Sequence, residues 1–136
     1  MSLRSLQLIK RMSSKIPEVD IDPSGVFKYI LIKLDVQEDS DKITADVVRG
    51  YAECGYHADI NDKFNDDLKR LKKEGQIQNF KTKVQGGGRI QHDPDVKMIK
   101  VYGYSQGYGK ADHELTVEIL KKKYPGYDIS WSDEGY

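Results

Sequence analysis

The sequence predicts a single compact α+β domain, a mixed β-sheet flanked by two main helices. Three observations carry this expectation. Residues 26–34 are β-branched or aromatic on both alternating faces, the pattern of a strand inside a sheet covered from both sides. Ile60, Phe64, Leu68 and Leu71 recur at spacings of four, four and three, the period of a helix with one face in a core. Predicted strands and helices then follow one another without a regular βαβ alternation, which favours a mixed or antiparallel sheet. At 136 residues the chain is long enough for one real core and too short for two.

The first element is expected to be a flexible tail over residues 1–17, ahead of a domain over 18–136. Arg4, Lys10, Arg11 and Lys15 fall in this stretch with no acid, and Leu3, Leu6, Leu8, Ile9 and Met12 are interleaved with serines. Such a segment resembles a mitochondrial transit peptide or a frayed end. The tail is the preferred reading, because Pro17 separates the segment from the rest of the chain.

In the strand over 26–34, Val26, Lys28, Ile30, Ile32 and Leu34 share one face. Lys28 therefore points with aliphatic neighbours, as a snorkelling strand-end lysine or as a cation aimed into a pocket. A polar loop over 37–42 precedes a second strand over 43–51, which carries Arg49. The helix after it has Asp59 as its expected N-cap with Asp62 three residues on. Arg70, Lys72 and Lys73 crowd its last turn, and Gly75 supplies the stop.

Residues 77–84 and 89–91 read as strand around Gly86-Gly87-Gly88. A turn at Asp93-Pro94-Asp95 leads into a strand over 96–104. Asp112 is placed to cap a second helix with Leu115, Ile119 and Leu120 inward, ended by Pro125-Gly126, and residues 127–131 close the sheet.

Composition excludes several functions. The chain has 22 basic and 22 acidic residues; removing the four bases of the first 17 positions leaves 18 basic residues against 22 acidic ones. This mildly acidic body does not suit a general nucleic-acid binder, which needs a basic face. Cys54 is the only cysteine, so neither an internal disulfide nor a cysteine-based zinc site is possible, and the chain reads as cytoplasmic. No apolar run approaches the length of a membrane span.

Three places carry chemistry. His57 stands directly before the predicted helix start, where the positive end of the helix dipole disfavours imidazolium and favours a bound anion. A neutral imidazole beside a phosphate is a general base or a nucleophile; the competing reading is a histidine packed on the first helical turn. His92, beside Asp93, and His113, near a helix start, have weaker claims.

Gly86-Gly87-Gly88-Arg89 concentrates backbone entropy cost where a ligand or another backbone must approach, and places a planar donor fork beside the opening. A glycine-rich bulge with a solvated arginine is its alternative. Val101-Tyr102-Gly103-Tyr104-Ser105-Gln106-Gly107-Tyr108-Gly109 runs from an apolar strand into a turn of glycine and serine, suited to an anion or to a bent strand end.

Familiar phosphate machineries are missing. The glycine triplet lacks the lysine and hydroxyl of a P-loop. A Cys-x5-Arg cradle from Cys54 would need arginine where Ile60 stands. Asp20-Ile21-Asp22 follows no apolar strand and reads as a turn before Pro23, and Arg-His-Gly does not occur. His57 and Asp59 are the only close pair of metal-ligand types, without a full set, so no metal is expected.

Taken in order, Val26-Phe27-Lys28-Tyr29, Val48-Arg49-Gly50-Tyr51, Tyr56-His57-Ala58-Asp59-Ile60, Gly86-Gly87-Gly88-Arg89-Ile90 and Val101-Tyr102-Gly103-Tyr104-Ser105 resemble the small protein histidine phosphatases, also called the Janus family. The match continues through Tyr108-Gly109, His113 and Lys123-Tyr124-Pro125 to Gly135-Tyr136, nearly everything after residue 17.

The resemblance implies a metal-independent, cofactor-free hydrolase that removes phosphate from phosphohistidine in proteins. It makes His57 the catalytic residue, as proton acceptor or nucleophile. It puts Lys28, Ala58, Ser105, Gln106 and Gly107 on the substrate phosphate, with Arg49 and Arg89 shaping the anion site. Gly107 stands where relatives carry alanine, so this turn is expected to be more flexible. The implied partners are phosphohistidine-containing proteins, with no nucleic acid and no membrane, and the chain is expected to be a monomer. A second hypothesis is a phosphate-recognising adaptor that regulates a partner without hydrolysis.

Overall fold

The computed structural model describes Leu3, residues 15–38 and residues 40–135. Most of the expected tail (residues 1, 2 and 4–14), Asp39 of the expected polar loop and the terminal Tyr136 lie outside the described residues.

Among the described residues the fold comprises six strands and two main helices. These are β1 (Val19–Ile21), β2 (Gly25–Glu38), β3 (Asp41–Gly50), α1 (His57–Lys73), β4 (Asn79–Asp93), β5 (Met98–Tyr102), α2 (His113–Lys123) and β6 (Asp128–Trp131). They form one mixed sheet in the order β1-β3-β2-β4-β5-β6, parallel only where β1 meets β3 and β5 meets β6. The α+β architecture follows the hydrophobic patterns directly.

β2 is central, and its alternation sorts the core into two layers. Ile30, Ile32, Leu34 and Val36 bury against Ile60, Phe64 and Leu68 of α1. Phe27, Tyr29 and Leu31 face the other way, in a cluster with Val117, Ile119 and Leu120 of α2. Phe64 is 2 % exposed, so its truncation to alanine should cost about 3–5 kcal/mol. Ile16, at the end of the segment read as tail, is buried in the α1-side cluster.

Several boundaries differ from the sequence expectations, each for a local reason. Residues 37 and 38 still pair with 42 and 41, so the loop read over 37–42 shrinks to the tip of a hairpin. The helix begins at His57, and Asp59 is its third residue rather than its N-cap. From there its carboxylate accepts the Tyr56 amide at 3.1 Å, the backward half of a capping box. The glycine triplet lies inside one long strand, with a bulge beside Leu31 and Ile32. β5 starts late, because Pro94–Val96 forms a 3-10 turn closed by Lys97 in the left-handed region, φ 52°. Asp112 caps α2 as expected, its carboxylate accepting the Leu115 amide at 3.1 Å. Among the described residues no helix is long and apolar enough to cross a membrane.

Candidate active site

The α1-side core stops at the row of the sheet where Lys28 on β2 stands opposite Arg89 on β4. Cross-strand partners project to the same side with Cβ atoms about 5 Å apart, and two like charges so placed repel each other. Neither residue forms an ion pair with a described residue. A pair of cations held together without a counter-charge is no stability device, and it is an arrangement able to take an anion.

Three segments wall this row into a cavity of about 810 Å³. Lys28 and Arg89 form the sheet side, Tyr56, His57 and Ala58 come from the start of α1, and Ser105, Gln106 and Gly107 come from the turn after β5. The helix contributes the positive end of its dipole and its first unpaired amides.

The turn is built by its own hydrogen bonds. Ser105 and Gly109 exchange backbone bonds of 3.1 and 2.8 Å, and the Ser105 hydroxyl oxygen accepts the Tyr108 amide at 3.1 Å. The amides of Gln106 and Gly107 are left without an acceptor among the described residues, forming a small concave donor site. A Cβ on Gly107 would meet nothing within 4 Å, so the turn has room for the alanine that the resemblance places there.

The glycine triplet is explained by what presses on it. A Cβ at Gly86 would stand 2.6 Å from the Ala111 amide nitrogen, and one at Gly87 would stand 2.7 Å from His57 Cδ2. At Gly88 it would overlap the Tyr102 carbonyl oxygen and come within 2.7 Å of His113 Cε1. Gly87 also anchors the turn after β5, since its amide donates to the Gly109 carbonyl at 3.0 Å. Close approach of ring and backbone is therefore the reason for the glycines, and Arg89 follows them at the cavity wall.

His57 is half-buried, and its Nε2 lies 2.9 Å from the Gly88 carbonyl oxygen. A carbonyl only accepts, so Nε2 carries the hydrogen and, in the neutral ring, Nδ1 carries the lone pair. Burial pushes the His57 pKa below its ordinary value, and the charges of Lys28 and Arg89 push the same way, against the Gly88 bond. The ring is thus a neutral base at pH 7, held by one nitrogen and basic at the other.

Not every expected site residue arrives. Arg49 is buried on the far part of the sheet, where its guanidinium donates to the Pro17 carbonyl at 2.6 Å and to Val48 at 2.9 Å, and lies 4.7 Å over the Phe64 ring. It braces the packing beneath α1 and does not line the cavity. His92 packs among Tyr124 and Tyr127 on the opposite face.

His113 is also buried: Nδ1 lies 2.6 Å from the Tyr29 hydroxyl and Nε2 2.7 Å from the Gly103 carbonyl. Its place near a helix start does not disclose this bracing position under the beginning of the turn after β5. Tyr56, 74 % exposed at the cavity rim, is a further residue without an expected role, although an aromatic residue beside the helix-start histidine is visible in the sequence. Among the described residues no group of three or more histidine, cysteine or carboxylate side chains converges as a metal site.

Comparison with known proteins bears on this arrangement. The family model of the Janus/Ocnus family matches residues 13–128. The chain is 46% identical over 137 residues to the sex-regulated protein janus-A of Drosophila orena, covering 98% of this chain and 94% of that one. It is 44% identical over 124 residues to the 14 kDa phosphohistidine phosphatase of Homo sapiens, covering 89% of this chain and 94% of that one. With the matched span running from before β1 into β6, the chain belongs to the Janus/Ocnus family.

Proposed function

We propose that this protein is a protein histidine phosphatase that hydrolyses the P–N bond of phosphohistidine, with His57 as its catalytic residue. The observation that carries the reading is the neutral His57 ring, basic at Nδ1, beside the paired cations Lys28 and Arg89. Similarity to a human phosphohistidine phosphatase supports the same chemistry.

Phosphoryl transfer asks a protein chiefly to position groups and to stabilise charge. Lys28, Arg89 and the amides of Gln106 and Gly107 hold the phosphoryl oxygens. In the water route, Nδ1 of His57 takes a proton from water as the water oxygen bonds to phosphorus. The P–N bond breaks, and the departing imidazole nitrogen takes up that proton. In the covalent route, Nδ1 itself bonds to phosphorus while the same P–N bond breaks; the substrate ring, already protonated by solvent at its other nitrogen, leaves as neutral imidazole, and water then cleaves the phosphorylated His57. Both use one lone pair and neither calls on a metal, since the cationic work is assigned to side chains.

The test is release of phosphate from a phosphohistidine protein by the purified chain with a chelator present. His57→Ala should lower turnover by roughly 10²–10⁴-fold while leaving phosphate binding largely intact. Turnover retained by that variant would sink the catalytic role. Binding of the phosphoprotein without any turnover by the native chain would identify an adaptor instead. Labelled phosphate trapped on His57 by rapid quench would select the covalent route.

A further inference from the structure

Among the described residues, no helix covers the α1 side of the sheet along the end of β4, β5 and β6, and this stretch is continuous with the cavity row. α1 lies over β2, β3 and the first part of β4, while α2 covers the other side of β5 and β6. Along β5 and β6 burial alternates accordingly: Ile99, Val101 and Ile129 are buried, whereas Lys100, Asp128 and Ser130 are exposed.

Register fixes the order of residues on the open face. The cavity row holds Lys28 and Arg89, with Tyr102 opposite Arg89 and Gly135 so near that a Cβ on it would stand 3.6 Å from Tyr102 Cδ2. The next row outward is Val26, Gln91, Lys100 and Ser130; the one beyond it holds Asp93, Met98 and Asp128. Val26 is 51 % exposed, unlike every other aliphatic residue of β2. Lys100 makes no ion pair with a described residue. Charge is therefore ordered: two cations at the cavity, one cation a row out, two carboxylates beyond it.

We infer that this face receives the polypeptide flanking the phosphorylated histidine, and that it selects segments with an acidic residue two or three positions from that histidine. The inference rests on the phosphatase reading and assigns its substrate preference. Lys100 is the diagonal neighbour of Arg89, about 7–8 Å away between backbones. An extended segment advances about 3.3 Å per residue, so a phosphate on Arg89 brings the second or third residue over Lys100. A carboxylate there meets a cation, Val26 supplies apolar contact, and Asp93 with Asp128 disfavours a further acid.

The experiment compares synthetic phosphohistidine peptides bearing glutamate or lysine two positions from the phosphohistidine, with phosphoramidate as a small substrate. The native protein should prefer the glutamate peptide in kcat/KM through KM. Lys100→Glu should raise KM for that peptide by about fivefold, the scale of reversing one exposed charge, and improve the lysine peptide. Phosphoramidate turnover should stay unchanged, since Lys100 lies outside the cavity.

Equal treatment of both peptides by the native protein and the variant overturns the docking surface while leaving the phosphatase intact. An equal loss on phosphoramidate also overturns it, because Lys100 would then act on the cavity. So does a dimer by light scattering that Lys100→Glu dissociates, since a second copy would be the occupant. Absence of turnover on all three substrates overturns the phosphatase reading itself.

Discussion

The ring of His57 is tethered to the carbonyl oxygen of Gly88 by an Nε2–H bond of 2.9 Å, and this contact decides which nitrogen of the neutral ring keeps the lone pair. Helix α1 supplies the histidine and strand β4 supplies the acceptor, so the tautomer is set by how these two elements pack. Burial and the two neighbouring cations keep that tautomer uncharged.

Protonation of His57 should therefore occur below its ordinary value of 6.5. Lys28→Ala should raise that midpoint, because the variant removes a cation that opposes imidazolium. The check is an NMR titration of the His57 Cε1 proton in native and variant protein; an unmoved midpoint would contradict the proposed proximity.

The same direction holds at His113, whose burial also lowers its pKa. For both rings the folded value lies below the unfolded one, so the unfolded chain binds more protons in between. Stability is then full above pH 6.5 and falls as pH drops through the folded values. Urea midpoints measured between pH 7.5 and pH 5 should decrease, and His113→Gln should flatten the decrease.

Gly87→Ala should damage the site and the fold together. Its new methyl would stand 2.7 Å from His57 Cδ2 and 2.8 Å from the Tyr29 carbonyl oxygen, and the backbone on that second side cannot swing away. Overpacking of this kind costs about 1–3 kcal/mol. Displacement of the ring should lower kcat at temperatures where circular dichroism still shows a folded protein.

The sequence made the cavity residues legible where local signals coincide. His57 sits at a period change, Lys28 breaks an aliphatic face, and the glycines mark close approach before Arg89. What sequence could not supply was where along the sheet Arg49 would stand. Strand periodicity puts Arg49 and Lys28 on the same side of the sheet, but Arg49 stands opposite Ile30, beneath α1. There Phe64 and the Pro17 carbonyl occupy its guanidinium. Only the tertiary register separates a buried brace from an anion ligand.

Arg49→Ala and Arg89→Ala should accordingly fail in different ways. The first removes two hydrogen bonds and a cation–π contact from a buried position, costing roughly 2–4 kcal/mol of stability, with KM for phosphoprotein unchanged at temperatures where it is folded. The second should leave the urea midpoint unchanged or raise it, since it relieves repulsion with Lys28, and should raise KM by weakening the phosphate contact. The reverse pattern would return Arg49 to the site.

Tyr29→Phe tests the buried support beneath the turn after β5. Because the Gly103 carbonyl only accepts, His113 carries its hydrogen on Nε2, and Nδ1 is the acceptor for the Tyr29 hydroxyl at 2.6 Å. Burial raises the Tyr29 pKa, so that hydroxyl keeps its proton, and Thr116 Oγ1 lies 3.1 Å from the same oxygen. Removing the hydroxyl leaves Nδ1 buried without a donor and should cost about 1–3 kcal/mol. Gly103 leads directly into the turn that presents the Gln106 and Gly107 amides, so a loosened His113 should speed hydrogen exchange at Ser105 and Gly109 more than at the far end of β4. Uniform exchange with an unchanged urea midpoint would show that Tyr29 only fills space.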